Sequence, residues 1–281
     1  MGFMQRIAVI TNASKDKGLS TALRVVGFLN GRAEIYISDD NKLDTNAEIK
    51  YMPYDELFEN IDIAVVIGGD GTLLAAAPDC AKNKVPALGI NLGTVGFLTE
   101  VEISDIETAL HKVINGEYST EKRMLIKVRV NDEKTSYHAL NDVVISKHDG
   151  VQIINIDLYT AGEHFNHYRA DGLIISTPTG STGYSISAGG PVVDPNMQLY
   201  IATPICAHML SARSTILSPD KELVLKLGKE NQGGATITTD GLLQREISVN
   251  DKVVISRSEY EFDLIKLGKG SFYSILMDKL S

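Results

Sequence analysis

The chain has 281 residues, 43% of them hydrophobic, which suits one large domain or two medium ones with an ample core. With 27 Lys and Arg against 36 Asp and Glu its net charge is -9, which argues against non-specific nucleic-acid binding and against docking on an anionic membrane. The two cysteines, Cys80 and Cys206, form neither a disulfide framework nor a CxxC pair, and both read as small buried apolar residues.

Met1 to Arg6 leads straight into a strand pattern, with no signal-peptide pattern or long apolar span, so a reducing, cytoplasmic compartment is expected. Arg6 to Thr11 reads as a buried strand. Ser20 to Asn30 has helical spacing and stops at Gly31, and Ala33 to Ile37 is a second strand. The apolar run Ile61 to Ile67 is a third. It ends in Gly68-Gly69-Asp70-Gly71-Thr72 and gives way to a helical pattern from about Leu73. Val85 to Ile90 is a fourth strand, followed by the loop Asn91-Leu92-Gly93-Thr94-Val95-Gly96-Phe97. Strands alternating with helices predict a parallel, doubly wound sheet, whose ligands sit beyond the carboxyl ends of the strands where these two loops lie. One more helix follows. It opens on a capping-box pattern at Ser104 and Glu107, carries an Ile106/Leu110/Val113 stripe and ends at Gly116.

Beyond that the period changes to two. Ile126, Val128 and Val130 alternate with polar residues, as do Ile154, Ile156 and Leu158, then Leu223, Leu225 and Leu227, then Val253 and Ile255. This predicts an all-β, antiparallel second domain, with a boundary near residue 100 and a hairpin turn at Asp240-Gly241. Phe272 to Leu280 is apolar enough to pack back on the protein. His164 and His167 read as a surface feature of a strand or turn rather than a metal site.

Two blocks carry chemistry. Glycines let backbone N–H groups crowd around an anion, and the start of a helix adds a positive dipole end, so Gly68–Thr72 is a phosphate cradle. Asp70 would repel phosphate there unless it takes a proton or meets a metal. The second block, Asp171 to Pro191, interrupts the β pattern with glycines and small hydroxyl residues. It reads as an ordered loop opening a short helix, suited to phosphate and ribose. Neither block is a Gly-Lys-Ser/Thr P-loop or a Gly-x-Gly-x-x-Gly fingerprint.

At these residues the chain resembles the ATP-dependent NAD kinases, over most of its length. Gly68–Thr72 is similar to the family's GGDGT signature, Asn141-Asp142 to its short Asn-Glu/Asp motif, and Asp171–Pro191 to its long glycine-rich segment. The resemblance implies a Rossmann-like parallel α/β domain over residues 1–100, with a tail from about 268 to 281 packing back on it. A β-sandwich-type dinucleotide-binding domain would follow over 101–267. It implies phosphorylation of the 2′-hydroxyl of the adenosine ribose of NAD, with ATP as donor and Mg²⁺ or another divalent metal, to give NADP.

The implied roles are these. Asp70 is the proton acceptor and Gly71 contacts the dinucleotide beside it. Asn141 and Asp142 hold the other ribose or the diphosphate region, and Arg169 and Asp171 face the nicotinamide half. Thr182, Tyr184, Ser185 and Ser187 lie on the adenine side, with Phe97 packing against it, and Gly183 and Ile186 also contact the NAD. Gly68, Gly69, Thr72, Thr179, Gly180 and Ser181 are candidates for the triphosphate. No direct protein ligand to the metal is assigned. With no P-loop lysine, the metal and backbone N–H groups are expected to neutralise the triphosphate. The partners implied are NAD, ATP and copies of the chain in a homotetramer or homodimer that shares site residues, with no nucleic acid and no membrane.

Three positions depart from the family pattern. Gly183 stands where Ala is common, Asp142 where Glu is common, and Leu242 where Gln is usual, which removes that position from the site. The rival readings are another GGDGT kinase acting on a lipid or sugar phosphate, and a dinucleotide sensor without turnover.

Overall fold

The structure, a computed structural model, describes residues 4–93, 96–148, 153–209, 212–231, 234–268 and 270–280. Thr94 and Val95 of the predicted Asn91–Phe97 loop lie outside the described residues, as do Lys269 and Ser281 of the predicted tail. The chain divides into two units, residues 1–122 with 261–281 and residues 123–260. The first boundary thus falls after Lys122 rather than near residue 100.

In the first unit, β1 (Arg6–Thr11), β2 (Glu34–Ser38), β3 (Ile49–Met52), β4 (Ile63–Gly68) and β5 (Ala87–Asn91) form a parallel sheet in the order β3-β2-β1-β4-β5. Residues 261–266 of the last strand return beside β5, Leu264 pairing in parallel with Ala87. Helices α1 (Ser20–Leu29) and α3 (Ile106–Ile114) share one core with Ile7, Val9, Ile63, Val65 and Ile67. Ala8, Ala64 and Val66, pointing to the opposite face, are equally buried. A parallel sheet covered on both faces explains why its strands read as unbroken apolar runs. Each large aliphatic side chain buried this way contributes about 1.5–3 kcal/mol.

α3 packs on α1, and this holds residues 101–122 in the first unit. The predicted capping box does not form. Asp105 is the N-cap residue, its side chain makes no capping hydrogen bond, and Glu107 instead pairs with Arg24. Helix α2 (Asp70–Asn83) starts three residues earlier than predicted, with Asp70 as its first residue. It buries Leu73, Ala76, Ala77, Cys80 and Ala81.

The second unit is all-β. It holds β6 (Ser119–Val130, entering at Arg123), β7 (Tyr137–Ala139), β8 (Asp142–Lys147), β9 (Ile154–Thr160), β10 (Glu163–Ala170) and β11 (Gly172–Ser176). A four-residue helix, α4 (Tyr184–Ser187), precedes β12 (Tyr200–Ile205), β13 (Thr215–Leu217), β14 (Leu223–Leu227), β15 (Ala235–Thr239), β16 (Leu242–Ile247) and β17 (Lys252–Lys266). One antiparallel sheet runs β13-β12-β11-β8-β15-β16. Facing it, β10-β9-β14 continue antiparallel into β17, with β6 and β7 alongside. Val143, Ile145, Leu173 and Ile175 from one layer meet Ile126, Ile156, Leu225 and Ile255 from the other in a single core.

Cys80 is fully buried, but Cys206 is exposed at the end of β12 with a positive φ of 47°, contrary to its predicted burial. His164 and His167 stand on β10, 3.3 and 2.8 Å from Asp157 Oδ1. Helix α5 (Phe272–Leu280) belongs to the first unit. Among the described residues no helix is long and apolar enough to cross a membrane.

Candidate functional site

The loops after β1, β4 and β5 lie side by side. The Asn12 N–H donates to Ile67 O at 3.2 Å, and the Leu92 N–H to Gly68 O at 2.8 Å. Sheet order reverses direction between β1 and β4, which makes this the crevice where open α/β sheets take ligands.

Asp70 sits at this point under tight control. Its Oδ1 accepts hydrogen bonds from the N–H of Leu98 (3.1 Å), the N–H of Thr99 (3.0 Å) and the Thr99 hydroxyl (3.0 Å). Its Oδ2 accepts one, from the Phe97 N–H at 2.8 Å. A carboxylate has about four acceptor positions. Oδ1 is therefore saturated while Oδ2 keeps one lone pair. The turn at Phe97–Thr99 can approach because Gly96 has no side chain: a Cβ there would lie 1.9 Å from Asp70 Oδ1.

The neighbouring glycines divide in purpose. A Cβ on Gly68 would lie 2.2 Å from Thr72 Oγ1, so Gly68 makes room for the threonine, whose buried hydroxyl packs inward without a partner among the described residues. Gly69 and Gly71 remain open to an incoming group. Phe97 packs its ring against Phe272 of α5 at 5.9 Å, with Lys279 Nζ 5.5 Å from the ring centroid.

In the second unit, Asn141 and Asp142 lead into β8 beside the end of β11, where Ser176 pairs with Asp142. Asp240, read from sequence only as a turn residue, organises them. Its carboxylate accepts the N–H groups of Leu140 (2.7 Å), Asn141 (2.7 Å) and Asp142 (3.0 Å). Asp240 and Gly241 do form the hairpin turn between β15 and β16, with φ of 49° and 81°. Thr177 clamps the other side, its N–H to Asn141 O at 2.8 Å and its hydroxyl to Leu140 O at 2.6 Å. Gly180 presses on the same segment so closely that a Cβ would lie 2.1 Å from Asn141 O. Asn141 Oδ1 is left buried, an acceptor without a partner among the described residues. At Gly183 a Cβ would lie 3.2 Å from Asn141 Nδ2 and 3.7 Å from Asp142 Oδ2, so this departure from alanine leaves space beside both residues.

Burial pushes the Asp142 carboxyl up to about 7, the Asp240 charge adding to it and a hydrogen bond from the Tyr184 N–H opposing. Burial also pushes Asp240 up to about 6, against the pull of its three N–H donors. The folded chain therefore holds these protons more tightly than the unfolded chain, whose carboxyls titrate near the ordinary 3.8. Folding gains below that value, and the gain is lost as pH rises through the folded values. The melting temperature is expected to fall between pH 4 and 7, and less steeply in Asp142→Asn. Equal slopes in thermal unfolding of the two proteins would contradict this.

Several predicted contacts are spent inside the fold. Ser181 is fully buried, its hydroxyl exchanging hydrogen bonds with Val193 O (3.3 Å) and N–H (3.1 Å). Ser185 is fully buried against Thr203 Oγ1 at 3.1 Å. The Ser181 and Ser185 hydroxyls are thus hydrogen-bonded within the fold, while the Thr72 hydroxyl is buried without a partner among the described residues. Thr179 is 7% exposed, its Oγ1 buried and unpartnered among the described residues. The Thr182 hydroxyl donates to Thr179 O at 3.4 Å. Tyr184 and Ser187 are exposed, Tyr184 at 48%, and Ile186 is half-buried. Arg169 and Asp171 do not join this group. They stand at the opposite end of β11 from Ser176, with Asp171 ion-paired to Lys147 at 2.8 Å. Sequence reasoning missed Asp240, Gly96 and Thr99. The signals open to it were the Asp240-Gly241 turn and the glycine before Phe97.

The model of the ATP-NAD kinase N-terminal domain matches residues 7–118, and that of the C-terminal domain matches residues 140–267. An NAD kinase of Caldanaerobacter subterraneus subsp. tengcongensis is 39% identical over 99% of this chain and 99% of its own length. One from Lachnoclostridium phytofermentans is 37% identical over 98% and 99%. Among solved structures, an NAD kinase from Archaeoglobus fulgidus in complex with ATP covers 98% of both chains at 27% identity and a TM-score of 0.75. Yeast NADH kinase complexed with NADH covers 98% of this chain and 86% of its own at 23% identity and a TM-score of 0.85, a likeness of fold. With both domain models matched and full-length relatives well above 30% identity, the chain belongs to the ATP-NAD kinase family.

Proposed function

We infer that this chain transfers the γ-phosphoryl group of ATP to the 2′-hydroxyl of the adenosine ribose of NAD, giving NADP and ADP, with Asp70 Oδ2 as the proton acceptor. The observation that carries the reading is the Asp70 carboxylate, fixed by four donors and left with one open acceptor position on Oδ2. A bond forms from the 2′-oxygen to the γ-phosphorus as the bond to ADP breaks. The hydroxyl proton passes to Asp70, and ADP leaves with the electron pair. A positioned base of this kind contributes about 10²- to 10⁴-fold.

The N–H groups of Gly69, Asp70 and Gly71 make no hydrogen bond among the described residues, which supports a phosphate cradle at the start of α2. We propose that Mg²⁺ or another divalent ion is carried there on the triphosphate, and when bound it neutralises the phosphate oxygens. Asn141, through its unpartnered Oδ1, is proposed to accept from a ribose hydroxyl. The exposed Tyr184 would stack on the adenine. Arg169 and Asp171, at the far end of β11, fit a homodimer or homotetramer in which a neighbouring copy supplies them. The cytoplasm is the proposed compartment.

The test is NADP formation from NAD and Mg-ATP, read through an NADP-specific dehydrogenase. NADP is expected with the metal and none in excess EDTA. NAD binding without NADP would favour a sensor, and full activity in EDTA would remove the metal from the account.

A further inference from the structure

The family's glycine loop lacks a lysine of its own, yet the structure brings one to it. The loop after β1 runs alongside the loop after β4, and its Lys15 Nζ lies 3.9 Å from where a Cβ on Gly69 would stand. Asn91, at the end of β5, flanks the same glycine, with Oδ1 4.0 Å from that point. Neither side chain is fully used. Lys15 is exposed, and its ammonium makes no hydrogen bond or ion pair among the described residues. Asn91 is only 4% exposed, and its Nδ2 has no partner among the described residues.

The lysine is held by a built loop. The N–H groups of Lys15 and Asp16 both donate to Asn12 O at 2.9 Å. The Asp16 carboxylate accepts the N–H groups of Thr21 (3.0 Å) and Ala22 (2.9 Å) and the Thr11 hydroxyl (3.3 Å). The Asp16 carboxylate is thereby engaged within its own loop. In a chain of net charge -9, an unpaired ammonium beside the glycine loop is a ready anion ligand.

We propose that Lys15 binds the terminal phosphate of the donor, so that the loop after β1 supplies the cation missing from the glycine loop. The proposal rests on the phosphoryl-transfer reading above. Lys15 forms no covalent bond. Its charge meets the oxygens of the γ-phosphoryl group while the 2′-oxygen replaces ADP and Asp70 takes the proton.

The experiment compares wild type, Lys15→Ala, Lys15→Arg and the control Lys17→Ala in NADP formation, with Mg-tripolyphosphate as an inhibitor competing with Mg-ATP. Loss of one charge-assisted phosphate contact is expected to raise KM for ATP and the tripolyphosphate inhibition constant about 10- to 100-fold in Lys15→Ala. KM for NAD should hold within about twofold, Lys15→Arg should recover most of the loss, and Lys17→Ala should match wild type. Wild-type turnover with unchanged ATP and tripolyphosphate constants in Lys15→Ala would overturn this proposal alone. Equal losses in Lys17→Ala would also overturn it, as a general charge effect. Absence of NADP from the wild type would overturn the underlying reading and the proposal with it.

Discussion

Gly96→Ala is expected to lower kcat for NADP formation by about 100-fold or more, although residue 96 carries no reactive group, since displacing a reacting group by about 1 Å can cost that much. The added Cβ would stand 1.9 Å from Asp70 Oδ1 and 2.5 Å from Oδ2. Contacts that short cannot persist, so either the carboxylate turns away or the Phe97–Thr99 turn retreats and takes its donors along. Both outcomes uncouple Asp70 from the N–H groups that aim it. Because the damage is local, the variant should remain folded, with NAD affinity little changed. Kinetics with a thermal melt check this, and wild-type kcat in a folded Gly96→Ala protein would show that the turn does not position the base.

Asp240→Ala is expected to act mainly on binding and stability. Three backbone N–H groups, on Leu140, Asn141 and Asp142, lose their acceptor at once. Orphaned donors cost about 1–3 kcal/mol each, and removing a buried carboxylate returns part of that, so a net loss of about 2–4 kcal/mol is expected. The released Asn141–Asp142 segment should raise KM for NAD at least about tenfold, as an ordering contact is lost. Urea unfolding and NAD titration of the variant measure the two effects. A protein as stable as wild type with unchanged KM would mean that Asp240 is only a turn residue.

The parallel sheet was legible because both of its faces are covered. Residues 7–10 and 63–67 are apolar throughout, and the glycines at 68 and 69 mark where the strand must end. Ile49–Met52 escaped notice because it is a short edge strand with Lys50 at its centre, too polar to read as a core element. The start of α2 was placed late because Asp70-Gly71 resembles a loop, whereas Asp70 opens the helix. The domain boundary was misjudged for a tertiary reason: α3 has the sequence of a surface helix, and only its packing against α1 keeps it in the first unit.

At the site, residue type pointed to Asp70, Asn141 and Asp142 but not to what holds them. Thr99 and Asp240 act over 29 and about 100 residues of sequence, a separation no local pattern reports. The Ser181 and Ser185 hydroxyls also bond within the fold, to Val193 O and Thr203 Oγ1, partners that no local pattern reports.

The most direct measurement is the rate of NADP formation by Asp70→Asn at saturating NAD and Mg-ATP, beside wild type. Asparagine keeps the size and one acceptor oxygen, so the Phe97–Thr99 turn should survive with one mismatched donor and a modest drop in melting temperature. The account predicts a rate about 10²- to 10⁴-fold lower, with the affinity for NAD retained. A folded Asp70→Asn protein that makes NADP at the wild-type rate would contradict Asp70 as the proton acceptor.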